Sequence, residues 1–292
     1  MALATPTSRF SDYVELAKPR ITLMVVLTTA AGFYLGARPS VDFLALLHTL
    51  LGTSLVASAA SALNQVLERD TDARMERTRT RPIPAGRIEP GTALGFGIAL
   101  AIIGGVYLAA AVNVLTATVG IVTLLLYVLV YTPLKRYSSL CTIVGAVPGA
   151  LPPVMGWTAA TGVLSAEAWV LFGILFFWQL PHFLAIAWNH REDYARGDQP
   201  MLPVADPSGA STARQIVLYC MALIPVSLAP TIMHLTGELY FYGALLLGVA
   251  YLLAGIHAAR KLTRDAALTL LRVSVIYLPA LLALMTFDKV PL

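Results

Sequence analysis

Apolar stretches about 20 residues long recur nine times along the chain. They lie at roughly 21–38, 43–66, 91–110, 114–132, 140–160, 166–189, 213–233, 239–258 and 268–287. A helix of about that length crosses the hydrocarbon core of a bilayer, and in lipid each backbone N–H and C=O must be bonded within its own segment. The runs therefore predict an all-α, polytopic membrane protein: nine transmembrane helices in a single domain spanning 1–292. The third and fourth runs are separated only by a turn near Asn113. Length forces that split, since one helix of about 40 residues would overshoot the bilayer. Composition agrees, with 12% charged residues and a mean hydropathy of +0.74, against about 25% charged in an ordinary soluble domain.

Charge sets the orientation. With nine passes and an internal N-terminus, every lysine and arginine except Arg38, Arg272 and Lys289 falls on one face. The positive-inside rule makes that face cytoplasmic. The expected location is the plasma (inner) membrane, with the N-terminus and two polar loops, 67–90 and 190–212, in the cytoplasm. The first residues show no apolar core followed by a small-residue cleavage site, so the first apolar run is expected to stay as an anchor. Cys141 and Cys220 lack the spacing of a zinc site or a disulfide framework. The net charge of +4 is modest; membrane lipids, not nucleic acid, are the expected surroundings. The glycines of "GFGIALAIIGG" (Gly95, Gly97, Gly104, Gly105) read as helix-packing positions.

Against this background the segment "NQVLERDTDARMERTRTRPIPAG", residues 64–86, concentrates four carboxylates and five arginines. Asn64, Glu68 and Asp72 are spaced i, i+4, i+8, so a helix continuing through them carries all three along one face. Amide and carboxylate oxygens in a row are hard ligands, suited to Mg2+ bridging a phosphate rather than to zinc. Arg74, Arg77 and Arg81 follow, each able to grip phosphate oxygens bidentately. Carboxylates for a metal and arginines for phosphate, at a membrane surface, describe a diphosphate site for a lipid-tailed substrate. The competing reading is a solvated, salt-bridged loop.

A second apolar helix runs out into charge at "WQLPHFLAIAWNHREDYARGDQPMLPV", residues 178–204. Asn189 and Asp193 are four apart and share a face if the helix persists, with Asp198 beyond. A second carboxylate cluster suits a second Mg2+ or the other side of one diphosphate. His182 follows Pro181 at membrane depth, where a polar residue is a functional candidate; a structural hydrogen bond to a neighbouring helix is the equal alternative.

At these two motifs the chain resembles the UbiA superfamily of intramembrane prenyltransferases, and within it the haem-farnesylating branch. The resemblance extends from "ELAKPRITLMVVLTTAAGFYLG" (Glu15–Gly36) through "YTPLKRYSSLCTIVGAVPGALPPVMGW" (Tyr131–Trp157) to the second motif. Glu68 at the middle of the first motif, and "DY" followed by "PMLPV" in the second, are similar to the haem branch; the quinone-type members carry Asp and DxxxD. The chain departs from the pattern at Cys141, where Asn is expected, and at "GDQ" (Gly197–Gln199). The resemblance implies a UbiA-type bundle around a central cavity, in which Asn64, Glu68, Asp72 and Asp193 are the catalytic, Mg2+-holding residues. It implies Lys18, Arg20, Arg77, Arg81, Lys135, Arg136, His182 and Tyr194 as substrate-binding residues for diphosphate or haem propionates.

The implied reaction transfers farnesyl from farnesyl diphosphate to a vinyl group of protohaem IX, with addition of water, giving haem O and diphosphate. Mg2+ is the implied cofactor and haem B a substrate; a haem-modifying enzyme or terminal oxidase is the implied recipient of the product. Two alternatives stand beside it. One is a UbiA-type enzyme acting on an aromatic quinone or chlorophyllide-like acceptor. The other is a secondary transporter, which would place ionisable groups near the membrane midplane; here most carboxylates sit at helix ends.

Overall fold

The computed structural model describes residues 9–38 and 40–290. The domain boundaries expected at 1 and 292 lie outside the described residues. A short amphipathic helix α1 (Arg9–Ala17) leads into α2 (Pro19–Gly36), the long α3 (Phe43–Asp72) and α4 (Pro90–Ala111). Next come α5 (Val114–Leu125), a π-helical stretch (Leu126–Tyr131) and α6 (Thr132–Leu134), which form one continuous span. α7 (Cys141–Ala150) and α8 (Pro152–Thr161) make up the fifth span, and α9 (Ala166–Asn189) the sixth. The short α10 (Arg191–Arg196) and α11 (Leu202–Ala205) precede α12 (Ala210–Ile232), α13 (Glu238–Lys261) and α14 (Arg264–Phe287). Among the described residues, nine spans are long and apolar enough to cross a membrane. They coincide with the nine apolar runs to within six residues at either end, and no strand is present among the described residues.

Local chemistry sets the ends. Asp42 caps α3 by accepting from the Ala45 N–H at 2.9 Å. Asn113 makes the expected turn, accepting from Thr116 N at 2.8 Å while its amide reaches Thr158 O at 3.0 Å. The fifth span is not one helix as its hydropathy suggests. Pro152 and Pro153 supply no N–H to bond, so the chain breaks at Leu151 into α7 and α8.

Small residues draw the helices together. A Cβ on Gly97 would fall 2.7 Å from Leu63, and one on Gly104 2.9 Å from Leu55, at the α3–α4 seam. Gly105 packs on Ile121, but a Cβ on Gly95 would meet nothing within 4 Å. Three of the four glycines therefore pack, and Gly95 faces outward. The closest approach joins α2 to α8, where a Cβ on Gly32 would lie 2.0 Å from Pro153 O and one on Gly156 1.9 Å from Thr29 O. The core between α9, α12, α13 and α14 holds the fully buried Tyr240, Tyr251 and Tyr277, and each hydroxyl finds a partner: Ser227 O, Trp178 O and Ser227 Oγ. In an apolar bundle such bonds satisfy groups that lipid cannot. Beside α2 on its other flank, an apolar cavity of about 420 Å³ separates it from α14, lined by Met24, Leu27, Ala31, Leu278 and Leu282 among others.

Candidate active site

α3 does run on through the first motif, ending at Asp72. Asn64, Glu68 and Asp72 are all buried, at 1%, 5% and 0% exposure. Asp70, on the opposite side of the helix, pairs only with its neighbour Arg69 at the surface. The alignment inferred from spacing is thus present, and it points inward.

Each member of the row meets one cation, and the three cations come from separate segments. Lys18 Nζ donates to Asn64 Oδ1 at 3.1 Å. Lys135 Nζ stands 2.8 Å from Glu68 Oε1. Arg81 Nη1 donates to Asp72 Oδ2 at 2.6 Å. One oxygen is still short of a donor: Asp72 Oδ1 accepts no hydrogen bond, while Glu68 Oε1 is ion-paired with Lys135. A buried carboxylate oxygen without a donor is costly unless something else binds it. Hard and anionic, Asp72 Oδ1 and the carboxylate of Glu68 beside it fit a small divalent cation such as Mg2+. Among the described residues no three His, Cys, Asp or Glu side chains gather into a metal cluster. A cation held by this row would complete its shell with oxygens of a bound phosphate or with water, as Mg2+ commonly does.

Lys18 is held by strained backbone. It sits between α1 and α2 at φ 47°, ψ 64° and immediately precedes Pro19, a left-handed conformation that costs a non-glycine residue on the order of 1 kcal/mol or more. Burial pushes its ammonium down to about 7, with Arg81 and Lys135 pressing the same way against Glu68 and Asp72. Burial also opposes the charge of Lys135, yet Glu68, aided by Tyr131 and Tyr127, holds that ammonium well above its ordinary value. The site therefore concentrates positive charge that awaits an anion.

Asn64 is oriented by a residue that motif reading missed. Its Nδ2 donates to Thr132 Oγ1 at 3.1 Å, and Thr132 in turn donates to Tyr127 O at 2.8 Å. The π-helical stretch produces this geometry, for the Thr132 N–H reaches back five residues to Tyr127 O. Its sequence signal is Pro133, which has no N–H to continue the α-helical ladder. The widened turn also seats Tyr131 under Lys135, with Nζ 4.5 Å from the ring centroid. Gly145 makes room for that ring, since a Cβ there would lie 2.4 Å from it.

The second motif is arranged differently from its expected geometry. The chain leaves the helix at His190 (φ −114°, ψ 21°) before starting α10, so Asn189 and Asp193 do not continue one helical face. Asp193 is buried at 6% exposure and fully engaged. Its Oδ1 accepts from Glu76 N at 2.7 Å and from Arg196 at 2.7 Å, and its Oδ2 accepts from Arg77 N at 3.2 Å. Although its burial works the other way, Arg196 and these two amides hold its carboxyl below the usual range. Asp198 pairs with Arg74 at the surface. The two polar loops thus touch at one end of the bundle.

The remaining candidates are scattered. Arg20 is exposed, and Arg136 is exposed with its guanidinium donating to Leu67 O at 2.7 Å, against the back of α3. Arg77 is exposed, 5.9 Å from the Tyr194 ring centroid. His182 lies deeper on α9, with Nδ1 2.7 Å from Ser274 Oγ on α14. So Lys18, Asn64, Glu68, Asp72, Arg81 and Lys135 come together, while Arg20, Arg77, Arg136, Asp193, Tyr194 and His182 stand apart from that cluster.

The chain is 50% identical over 287 residues to a protoheme IX farnesyltransferase of Solibacter usitatus, covering 95% of this chain and 98% of the relative. It is 47% identical to the protein of the same name from Salinibacter ruber, covering 95% and 98%. Its backbone is similar to a digeranylgeranylglyceryl phosphate synthase, with a TM-score of 0.79 at 16% identity, covering 98% of this chain and 100% of that one. It also matches a UbiA homolog from Archaeoglobus fulgidus bound to DMAPP and Mg2+, with a TM-score of 0.69 at 18% identity and coverage of 94% and 99%. The model of the UbiA prenyltransferase family matches residues 25–277. With that span, and relatives this similar over nearly their whole length, the chain belongs to the UbiA prenyltransferase family.

Proposed function

We propose that this protein transfers the farnesyl group of farnesyl diphosphate to a vinyl carbon of protohaem IX, with addition of water, releasing diphosphate and haem O. The acceptor is taken from the relatives named above. The observation that carries the donor chemistry is the buried row Asn64–Glu68–Asp72, with Asp72 Oδ1 undonated and a cation opposite each member. Asn64, Glu68 and Asp72 would hold Mg2+, which when bound neutralises charge on the leaving diphosphate.

Lys18, Arg81 and Lys135 then take up the diphosphate oxygens, exchanging their present carboxylate and amide partners for the ligand. As the C1–O bond breaks, the negative charge that accumulates on diphosphate falls among these fixed cations, where low dielectric makes their stabilisation large. The allylic carbon left behind forms a bond with the terminal vinyl carbon of the haem. The resulting cation lies next to the porphyrin ring and is captured by one water, which loses a proton to become the hydroxyl. Apolar helices keep water out at the first step. Tyr127 and Tyr131, beside Lys135, place aromatic faces near the diphosphate end.

Asp193 acts through the loop. By binding the amides of Glu76 and Arg77 it sets the path of the segment that delivers Arg81. Both polar loops face the cytoplasm in this reading, and labelling of single cysteines in intact cells would reverse that orientation if the loops reacted from outside. The reaction itself is tested by incubating purified protein with haem B, farnesyl diphosphate and Mg2+. A haem product heavier by one farnesyl and one water is expected. Prenylation of an aromatic quinone precursor with no haem product would overturn the assignment.

A further inference from the structure

The apolar cavity between α2 and α14 is a groove in the half of the bundle away from the polar loops. It runs from Met24 to Tyr34 on α2 and from Leu278 to Thr286 on α14, and both helices end just beyond it, at Gly36 and Phe287. Ten residues of helix measure about 15 Å, half of a hydrocarbon core about 30 Å thick. The groove therefore has the depth of one leaflet. Small side chains open it: Ala30 and Ala31 on one wall, Pro279 and Ala283 on the other. Met24 is 40% exposed and Leu27 49%, so the walls are uncovered.

Two cations stand at the mouth. Arg272 lies within α14; otherwise Arg38 and Lys289 are the basic residues that do not gather at the polar-loop end. Lys289 Nζ donates to Tyr34 O at 2.6 Å and to Ala37 O at 2.8 Å, and lies 4.8 Å from the centroid of the Tyr34 ring. An ammonium has three protons to give, so one remains. Arg38 follows Ala37; it is exposed and acts on Glu167 at the start of α9 only at a distance, without an ion pair. Burial, with Arg38 pressing the same way, holds the Lys289 ammonium below its ordinary value. Two neighbouring cations with no anion between them behave so. The carboxylates beside the mouth are committed elsewhere. Asp42 accepts from the Ala45 N–H at 2.9 Å, and Asp288 from the Tyr240 N–H at 2.7 Å.

We propose that this groove binds an anionic phospholipid of the leaflet opposite the polar loops, one acyl chain lying between α2 and α14 and the phosphate held by Arg38 and Lys289. Depth and charge both select that occupant. The slot is as long as one leaflet, and its cations sit at the membrane surface, where a head group lies. A tail hung from the Lys18 end would carry its charge at the wrong end, since Lys18 precedes α2 and these cations follow it. A head group of net negative charge is favoured over one that also bears an ammonium, which would meet two like charges. The site is independent of which acceptor the protein prenylates.

Photocrosslinking tests this with the full-length protein in phosphatidylcholine vesicles. The vesicles are doped with phosphatidylglycerol or with phosphatidylcholine, each carrying the same diazirine acyl chain, and adducts are mapped by peptide mass spectrometry. Wild type should be labelled within 24–34 and 278–286, preferentially by the phosphatidylglycerol. Arg38→Gln and Lys289→Gln should each lower that preference about fivefold; the Gln amide can still donate to the α2 carbonyls, so the fold is kept. Lys289→Arg should retain the preference. Ala283→Phe fills the groove and should remove the adducts, as should excess unlabelled phosphatidylglycerol on the wild type. Equal labelling by the two lipids would overturn the role of the cations, and adducts spread over every outward helix face would overturn the site. Displacement of the adducts by farnesyl diphosphate would give the groove to a substrate tail and overturn the phospholipid.

Discussion

The loops after α3 and after α9 look equivalent in composition, each an apolar helix running out into mixed charge, but their carboxylates do opposite things. In the first loop Glu68 and Asp72 are buried and face cations, and Asp72 Oδ1 is left without a donor. In the second, both oxygens of Asp193 are bonded, to two backbone amides and Arg196, and Asp198 lies at the surface against Arg74. A carboxylate with unmet capacity is available to a ligand; one whose oxygens are already taken by the backbone is holding the chain in place. The difference teaches that charge density along a sequence does not separate a site from the clasp that shapes it. In the reading proposed above, donor satisfaction of the carboxylates separates them.

The strongest way to break this comparison is in the first loop. Asp72→Ala and Glu68→Gln should each lower farnesyl transfer by about 10³-fold or more, the scale of removing charge stabilisation at a reacting centre, while membrane insertion is retained. Turnover within tenfold of wild type for either variant would remove the row from the site.

Asp193→Asn comes next and sharpens the contrast. The substitution weakens the acceptor of three hydrogen bonds, costing about 1–3 kcal/mol of local loop stability. Faster proteolysis within 73–82 and a 10- to 100-fold fall in kcat/KM are expected, with the Mg2+ dependence unmoved. A raised Mg2+ requirement in an otherwise protected loop would instead make Asp193 a metal ligand.

Smallest are Asp70→Ala and Asp198→Ala, which remove surface ion pairs of about 0–1 kcal/mol. Product formation should stay within about twofold of wild type. A loss matching Asp72→Ala would mean that the inward-facing row is not what matters.

Much of this was legible before the fold. Hydropathy located all nine spans because lipid demands continuous apolar helices, and i, i+4, i+8 spacing placed Asn64, Glu68 and Asp72 on one face because α3 does not stop at the membrane. The same logic failed at Asn189 and Asp193, since nothing in "WNHRED" announces that the helix ends at His190. It failed too for Gly95, whose neighbours Gly97 and Gly104 pack while it faces outward; periodicity gives the face of a helix but not which neighbour occupies it. The long-range pairings of Lys18 with Asn64 and of Lys135 with Glu68 depend on how helices assemble, which no local window contains. Thr132 was hidden for a different reason. Its aim at Asn64 comes from one extra residue in a helical turn, and only Pro133 hints at it.

The glycine seam between α2 and α8 has a mechanical consequence. With Gly32 against the Pro153 carbonyl and Gly156 against that of Thr29, two backbones are in direct contact, with no flexible side chain between them to cushion relative movement. Close-packed interfaces of this kind transmit displacement instead of absorbing it. On its opposite flank α2 borders the cavity shared with α14, where side chains leave free volume. Stiffness is therefore distributed unevenly around α2: its α8 side is backbone against backbone, and its α14 side borders free volume.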